Sequence, residues 1–447
     1  MNHIAAEQTH SDLPACLPEF RVRYTPQDDA GTGAVRLLAP SELSADQRVV
    51  YDQVLAWVEG REANVLSLGG FAGTGKTTLL ATIAHELCNK RRKAVAFLTP
   101  TAKAASVLRR KLAPLKLQTT YVGTVHSFMY SPILDQYEGL TGWARRYFVR
   151  MENDDGSYSY VSKNSKDIPR VDLIIVDEAS MVSEEMELDI LQFKVPVLAV
   201  GDHGQLPPVQ GTSSWMGNPD LRLEKIHRQA ENNPILALAT YVREEGAMPR
   251  SVADFGIPFY RGLRALGDPL EAAYKKRGHH EVALICYTNR LRAMLNAEVH
   301  RGLHGADKPV LGSQVICLKN DKMLVNGMRG IIASDVQEVD IWYVADVLFP
   351  DEGYVYSGPF LKRQFGQAKA PKDTNIASEL AGRYIKRMSD LGALLDFGYA
   401  LTAHKSQGSQ FEEVVVVLEA GRRPPDYARW LYTAITRASE QLSFCET

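Results

Sequence analysis

The chain has 447 residues, 45% hydrophobic and 23% charged, with a net charge of −2; this is an ordinary globular balance with room for several cores, and any hold on nucleic acid has to be local rather than a bulk polycation effect. Five scattered cysteines (Cys16, Cys88, Cys286, Cys317, Cys445) form no C-x-x-C pair, which argues against a disulfide framework, a zinc site or an iron–sulfur cluster and fits a reducing compartment. No apolar run approaches the roughly 18 residues of a membrane span, and Met1–His10 lacks the basic-then-apolar layout of a secretory signal, so a cytoplasmic protein is expected.

Residues 1–40 carry prolines and an Asp28–Gly33 turn cluster and read as an arm or loosely attached cap. From Ser41 the texture becomes helix, strand, loop, helix. The apolar run Val65 to Leu68 leads into Gly70-Phe71-Ala72-Gly73-Thr74-Gly75-Lys76-Thr77, and a helical stretch begins at Thr78. This is G-x-x-x-x-G-K-[ST] in the strand–loop–helix setting of a phosphate-binding loop. The glycines let backbone N–H groups turn around phosphate oxygens at the positive end of the helix. Gly73, Thr74, Gly75, Lys76, Thr77 and Thr78 are therefore expected to hold a nucleoside triphosphate. Lys76 supplies a charge for the β/γ-phosphates, and the Thr77 hydroxyl is suited to Mg²⁺.

The strand Ala94 to Leu98 ends in Thr99-Pro100. A helix over Ala102 to Leu112 follows, carrying Lys103, Arg109, Arg110 and Lys111 on a solvated face. Residues 131–170 break the rhythm: polar, rich in aromatics, with a hairpin-like turn at Asp154-Asp155-Gly156, they read as an insertion. Leu173 to Val176 and Val195 to Val200 are short continuous apolar runs, the mark of strands buried on both faces. The first closes on Asp177-Glu178-Ala179-Ser180. Hydrolysis of a magnesium nucleotide needs one carboxylate for the metal's water shell, which suits Asp177, and one to orient the attacking water, which suits Glu178. After the second run comes Gly201-Asp202-His203-Gly204-Gln205-Leu206-Pro207-Pro208, where the neutral amide of Gln205 can bond the γ-phosphate or the attacking water. His203 and the His279-His280 pair read as solvated. A second α/β texture starts near Trp215, with a strand at Val282 to Cys286 and a helix over Arg290 to Arg301. It resumes, after a turn-rich β segment at about 310–393, with Val414 to Leu418, a helix over Tyr427 to Arg437 and a last strand at Leu442 to Cys445.

The ordered blocks resemble a superfamily-one helicase of the RecD-like and Dda-like branch. They are Gly70–Thr77, Thr99–Ala105, Thr124-Val125-His126-Ser127, Asp177–Ser180, Gly201–Val209, His227-Arg228-Gln229, Tyr287-Thr288-Asn289, Leu401–Gly408 and Tyr432–Ala438. The resemblance implies an α/β chain of two RecA-like P-loop lobes, 41–130 with 171–214 and 215–309 with 394–447. Residues 131–170 would be a hairpin pin, with Trp143, Tyr147 or Phe148 stacking on the last base pair, and 310–393 an SH3-like insertion. It implies that Gln47 meets the adenine edge, that Gly408 lies at the nucleotide, and that Arg228 and Arg437 are arginine fingers. It places Pro100, Thr101, Lys103, Thr124 and His126 of one lobe, and Thr402, His404, Lys405 and Ser406 of the other, on a DNA track. The implied activity is ATP- and Mg²⁺-dependent unwinding with 5′-to-3′ movement on single-stranded DNA, by a monomer, in replication, repair or recombination. Single/double-strand junctions and single-strand-binding or replication proteins are the implied partners, in a bacterial or phage-infected cell. A protein-displacing translocase or an RNA-directed helicase would keep every ATPase motif. A decayed scaffold is disfavoured by the intact Lys76, Asp177, Glu178, Gln205 and Arg437, and a small-molecule kinase by the Thr402–Ser409 stretch.

Overall fold

The computed structural model describes residues 21–24 and 37–447, less 61–63, 119, 131–132, 136–144, 148–149, 153–157, 161–168, 209–212, 226–232, 279–280, 320–323, 325, 351–353 and 387. A first sheet has six parallel strands in the order Leu221–Leu223, Val65–Gly70, Val197–Gly201, Leu173–Val176, Val95–Thr99 and Thr120–Thr124. Its central strands are the continuous apolar runs, because helices cover both faces. Leu79, Ile83, Phe97, Ile175 and Leu198 fill one side, and Phe128, Ile174, Val176 and Ala199 fill the other. The helix after the phosphate loop begins at Lys76 rather than Thr78. Gly73 and Gly75 adopt φ of 80° and 76°, a region open to glycine, and turn the chain straight into its first turn.

A second parallel sheet runs in the order Phe259–Arg261, Ala438–Glu446, Phe411–Leu418, Val282–Cys286 and Ala400–Thr402. The helix read as reaching Arg437 stops at Ile435. Thr436 and Arg437 turn the chain, and the final strand starts at Ala438, four residues before the sequence pattern marks it. Leu442–Cys445 is only its buried half, and Ser439, Glu440 and Gln441 are exposed, so apolar residues alone under-read its length.

The β-rich segment is antiparallel. Gln314–Cys317, Arg329–Ile332, Gln337–Val339, Trp342–Phe349 and Tyr354–Leu361 pair in one sheet, around Val315, Ile332, Trp342, Val347, Phe349 and Phe360. The sheet extends past residue 393, since Leu395–Phe397 pairs with Gln314–Cys317. The arm is not loose throughout: Arg21–Tyr24 adds a strand to the sheet's edge, against Tyr354–Ser357. Within 131–170, two antiparallel pairs are described, Ile133–Asp135 with Arg145–Tyr147 and Arg150–Glu152 with Tyr158–Tyr160. The Asp154–Gly156 turn, Trp143, Phe148 and the side chain of Tyr147 lie outside the described residues.

Two buried polar groups tie the antiparallel sheet to the second lobe. On the helix Asn289–His304, Arg292 bonds Asp396 at 3.0 Å with both side chains fully buried, and donates to the carbonyls of Gln367 and Ala368. Asp396 also accepts from the backbone N–H groups of Gly366 and Phe397, both at 2.9 Å. About two turns further along the same helix, His300 donates from Nε2 to the Lys308 carbonyl (2.9 Å) and meets the Tyr399 hydroxyl at Nδ1 (3.2 Å). It stacks on Phe397 at 3.9 Å. Burial pushes its imidazole down to about 4. The unfolded chain takes up this proton near 6.5 and the folded chain only near 4, so unfolding free energy is expected to rise with pH across that window. The contribution is on the order of 3 kcal/mol. Urea unfolding at stepped pH, with His300→Gln flattening the dependence, checks it.

Candidate nucleotide cleft and strand track

The strands Val65–Gly70, Val197–Gly201 and Leu173–Val176 are parallel neighbours, so the loops that follow them share one sheet edge. This edge brings Lys76, Asp177, Glu178, Asp202 and Gln205 together. Thr74 bonds the Phe71 carbonyl through Oγ1 at 2.8 Å. Lys76 Nζ folds back onto the carbonyls of Gly70 and Phe71 and stands 4.0 Å from Asp202. Gln47, expected at the adenine, is buried and lays its amide on the Thr74 and Gly75 carbonyls at 3.4 and 3.5 Å. It braces the loop from the helix Ala45–Gly60.

Glu178 has φ 56° and ψ 38°, a left-handed conformation that costs a non-glycine residue energy and collects at functional sites. Its N–H bonds Asp177 Oδ1 at 2.9 Å. Burial raises both carboxyls above their ordinary range. For Asp177, Lys111 and Lys76 oppose the rise. For Glu178, the Asp177 charge adds to it, while Arg437 and Lys76 oppose it. Adjacent carboxylates disfavoured by burial suit a divalent cation, and the Thr77 hydroxyl supplies a further oxygen of the right hardness. Among the described residues, no cluster of three His, Cys, Asp or Glu forms a separate metal site.

The second lobe closes onto this edge through the helix Tyr427–Ile435. The Tyr432 hydroxyl donates to Asp202 Oδ2 at 2.9 Å and accepts from the Ala72 N–H of the phosphate loop at 2.8 Å. Burial and the Asp202 charge keep this phenol protonated. Asp202, 1% exposed, also receives Gly204 N–H (3.0 Å) and the Gln205 amide (3.2 Å). Gln205 Oε1, buried, has no partner among the described residues. Leu206 packs into the second lobe's core, and its N–H and carbonyl bond Thr433 and Gln407. His203 is not simply solvated: it is half-buried against Phe71 at 4.2 Å, and Arg243 of the second lobe lies 3.8 Å from that same ring. Phe71, Asp202 and Tyr432 are the cleft residues that sequence reasoning left without a role, although all three lie inside the quoted blocks.

Arg437 is buried, with its guanidinium on the Thr433 and Ser409 carbonyls and Thr436 Oγ1. Its charge still reaches Glu178. Arg228 lies outside the described residues. Gly408, expected at the nucleotide, packs against the first lobe's Ala102–Leu112 helix. With φ +72°, a Cβ there would meet Ala104 Cβ at 3.1 Å, so the position serves close approach of the lobes.

The track residues fall mostly at helix starts after parallel strands. Thr101, Thr124 and Thr402 each cap the helix they precede, accepting from Ala104, Ser127 and Lys405 N–H. Such caps aim further backbone N–H groups outward at a helix N-terminus. Thr99 is fully buried and bonds the Thr101 carbonyl, holding the turn in which Pro100 sits. His126 packs edge-on to Tyr130 at 5.4 Å. Lys103 reaches across the lobes to Phe411, 5.6 Å from its ring. Burial pushes Lys405 down to about 8, with the Arg292 charge adding to it, and lowers His404 as well. Ser406 is an exception to the expectation: it is fully buried and spends its hydroxyl on the Ala403 carbonyl, so it stiffens the turn.

Two parallel sheets meeting across a phosphate-binding loop define a two-lobed RecA-like P-loop protein. The sequence matches the family described as AAA domain over residues 42–254 and the UvrD-like helicase C-terminal domain over residues 397–445. The ATP-dependent RecD2 DNA helicase of Deinococcus radiodurans is 27% identical over 450 residues, covering 93% of this chain and 51% of its own length. The ATP-dependent DNA helicase dda of Enterobacteria phage T4 is 22% identical over 301 residues, 62% of this chain and 61% of its own. A Pif1 helicase from Bacteroides, solved with ADP-AlF3 and single-stranded DNA, shares the fold with a TM-score of 0.50 and 19% identity over 88% of this chain and 91% of that one. The chain is thus similar to the RecD2 and Dda helicases in sequence and shares its fold with the Pif1 helicase. It spans about half the length of the RecD2 relative.

Proposed function

We propose that this chain is an ATP-driven motor that moves 5′ to 3′ on single-stranded DNA and separates duplex ahead of it. The observation that carries this reading is the Tyr432 hydroxyl, which joins the second lobe to both the phosphate loop and Asp202. A nucleotide at Lys76 competes for the same groups, so its arrival and loss bear directly on how the lobes meet. Lys76, Thr77, Asp177 and Gln205 hold the nucleotide and its Mg²⁺, which neutralises charge on the β/γ-phosphates when bound. Glu178 orients the attacking water, and Arg437 and Arg228 stabilise the charge that spreads over the transferred phosphoryl group. Strand phosphates lie over the capped helix starts at Thr101, Thr124 and Thr402, beside Pro100, Lys103, His126, His404 and Lys405. Lobe movement becomes directional because each lobe grips differently in each nucleotide state. Residues 131–170 act as the pin and the antiparallel sheet closes over the strand. The motor works as a monomer in the cytoplasm at single/double-strand junctions, with single-strand-binding or replication proteins as neighbours. Among the described residues, no helix is long and apolar enough to cross a membrane.

The test is strand separation on matched duplexes with a 5′ or a 3′ single-stranded tail. ATP-dependent unwinding of the 5′-tailed duplex alone, abolished in Lys76→Ala, is expected. DNA-stimulated ATP hydrolysis without unwinding of either would leave a translocase or protein-displacing remodeller.

A further inference from the structure

A second groove lies on the far side of the lobe-two sheet edge from the Ala400–Thr402 strand. It has a volume of about 800 Å³ and opens where Phe259–Arg261, Phe411–Leu418 and Ala438–Glu446 end. Four arginines line it, Arg250, Arg261, Arg422 and Arg423, and all are exposed. Among the described residues none of the four pairs with a carboxylate, although most other arginines of this lobe do. Of the two acids at the groove, Glu419 is already committed, accepting from Thr288 N–H and Oγ1 at 3.0 and 2.6 Å, and Glu446 stands at the final strand's end. Four guanidinium groups against one unengaged carboxylate leave the groove cationic.

Its floor is aromatic. Tyr427 and Trp430 stack at 6.2 Å with their planes 10° apart, and Tyr287 meets Trp430 edge-on at 6.4 Å. Arg423 already lies 5.0 Å over the Tyr427 ring. Trp430 is 2% exposed, and its Nε1 donor has no partner among the described residues. Flat rings between unpaired arginines are the combination that takes a sugar–phosphate backbone with its bases stacked, without reading sequence. One lining residue also stands next to the strand track. Tyr287 follows Cys286, which is in register with Thr402, so groove and track are served by neighbouring strand ends.

We infer that this groove is a second single-strand site, holding nucleotides of the strand beyond those over Thr402 and Lys405, with phosphates on Arg422 and Arg423 and a base against Tyr427. This assignment rests on the proposed DNA function. It predicts that affinity grows when an oligonucleotide is long enough to leave the track and enter the groove.

The experiment is fluorescence anisotropy with short and long labelled oligothymidylates, ~8 and ~16 nucleotides, on the full chain and on Arg422→Ala/Arg423→Ala. The unaltered protein is expected to bind the longer strand about tenfold more tightly. The double variant loses that gain, its log-affinity against log-salt slope falls by about 1 to 2, and its binding of the short strand and the ATPase rate that strand stimulates stay unchanged. Both substitutions sit on exposed side chains, and Tyr427→Ala gives an independent second reading through stacking. An equal length gain in all three proteins would overturn the groove assignment alone. No binding of either strand by the unaltered protein would overturn the DNA reading and the groove with it. Capture of a labelled polyglutamate peptide, lost in the double variant while the length gain persists, would hand the groove to an acidic protein segment and overturn the assignment.

Discussion

Glu178→Gln is expected to hydrolyse ATP about 10³-fold more slowly than the unaltered chain, the range lost with a general base, while still binding ATP and single-stranded DNA. The substitution keeps the size and hydrogen-bonding reach of the side chain and removes only its charge and its ability to take a proton. The structure gives two reasons to expect a chemical rather than a structural effect. The residue is held at φ 56° by the loop after Val176, so the backbone already places it whatever its side chain. Burial, with the Asp177 charge, raises its carboxyl above the ordinary range against the opposing Arg437 and Lys76 charges, and carboxyls perturbed in this way collect at catalytic sites. Single-turnover hydrolysis measured beside filter binding of ATP separates the two. A rate within roughly tenfold of the unaltered chain would remove Glu178 from the base role.

Arg292→Ala is expected to cost about 3–5 kcal/mol, because it leaves Asp396 charged, buried and without its partner. Both side chains are wholly enclosed, and the guanidinium also satisfies the Gln367 and Ala368 carbonyls. Burial lifts the Asp396 carboxyl and Arg292 pulls it down, so removing the arginine leaves the buried charge only the Gly366 and Phe397 N–H groups. Guanidinium denaturation of the full chain measures the loss. Replacing both partners together, Arg292→Leu with Asp396→Leu, is expected to recover most of it, since no orphaned charge remains. A loss under about 1 kcal/mol for Arg292→Ala would show that the loop over residues 366–368 admits water to the pair.

The two parallel sheets were legible because a strand covered on both faces writes itself as an unbroken apolar run, as Leu173–Val176 and Val282–Cys286 do. The phosphate loop was legible for a different reason: its glycines and lysine are demanded by backbone shape and charge within eight residues. Tyr432 joins Asp202 from 230 residues away, and neither residue has a local pattern that announces the other. His203 looked solvated because its burial comes from Phe71, across the fold. The final strand was under-read for its exposed half, which carries Ser439, Glu440 and Gln441. The approach of Gly408 to Ala104 was not legible, because a motif names which residues recur together and not which lobe each one touches.

The Arg21–Tyr24 strand has a consequence for how the molecule is made. It precedes both parallel sheets in the chain, yet its partner Tyr354–Ser357 emerges only after both have been started. Pairing of such distant segments is slow, because a loop spanning most of the chain has to close first. Until it forms, Tyr354–Leu361 presents an open sheet edge, the kind of surface on which separate chains pair with one another. The arm's four residues thus act as a late seal on the folding chain, and because they precede that edge in the chain they are already at hand on the same molecule when it appears.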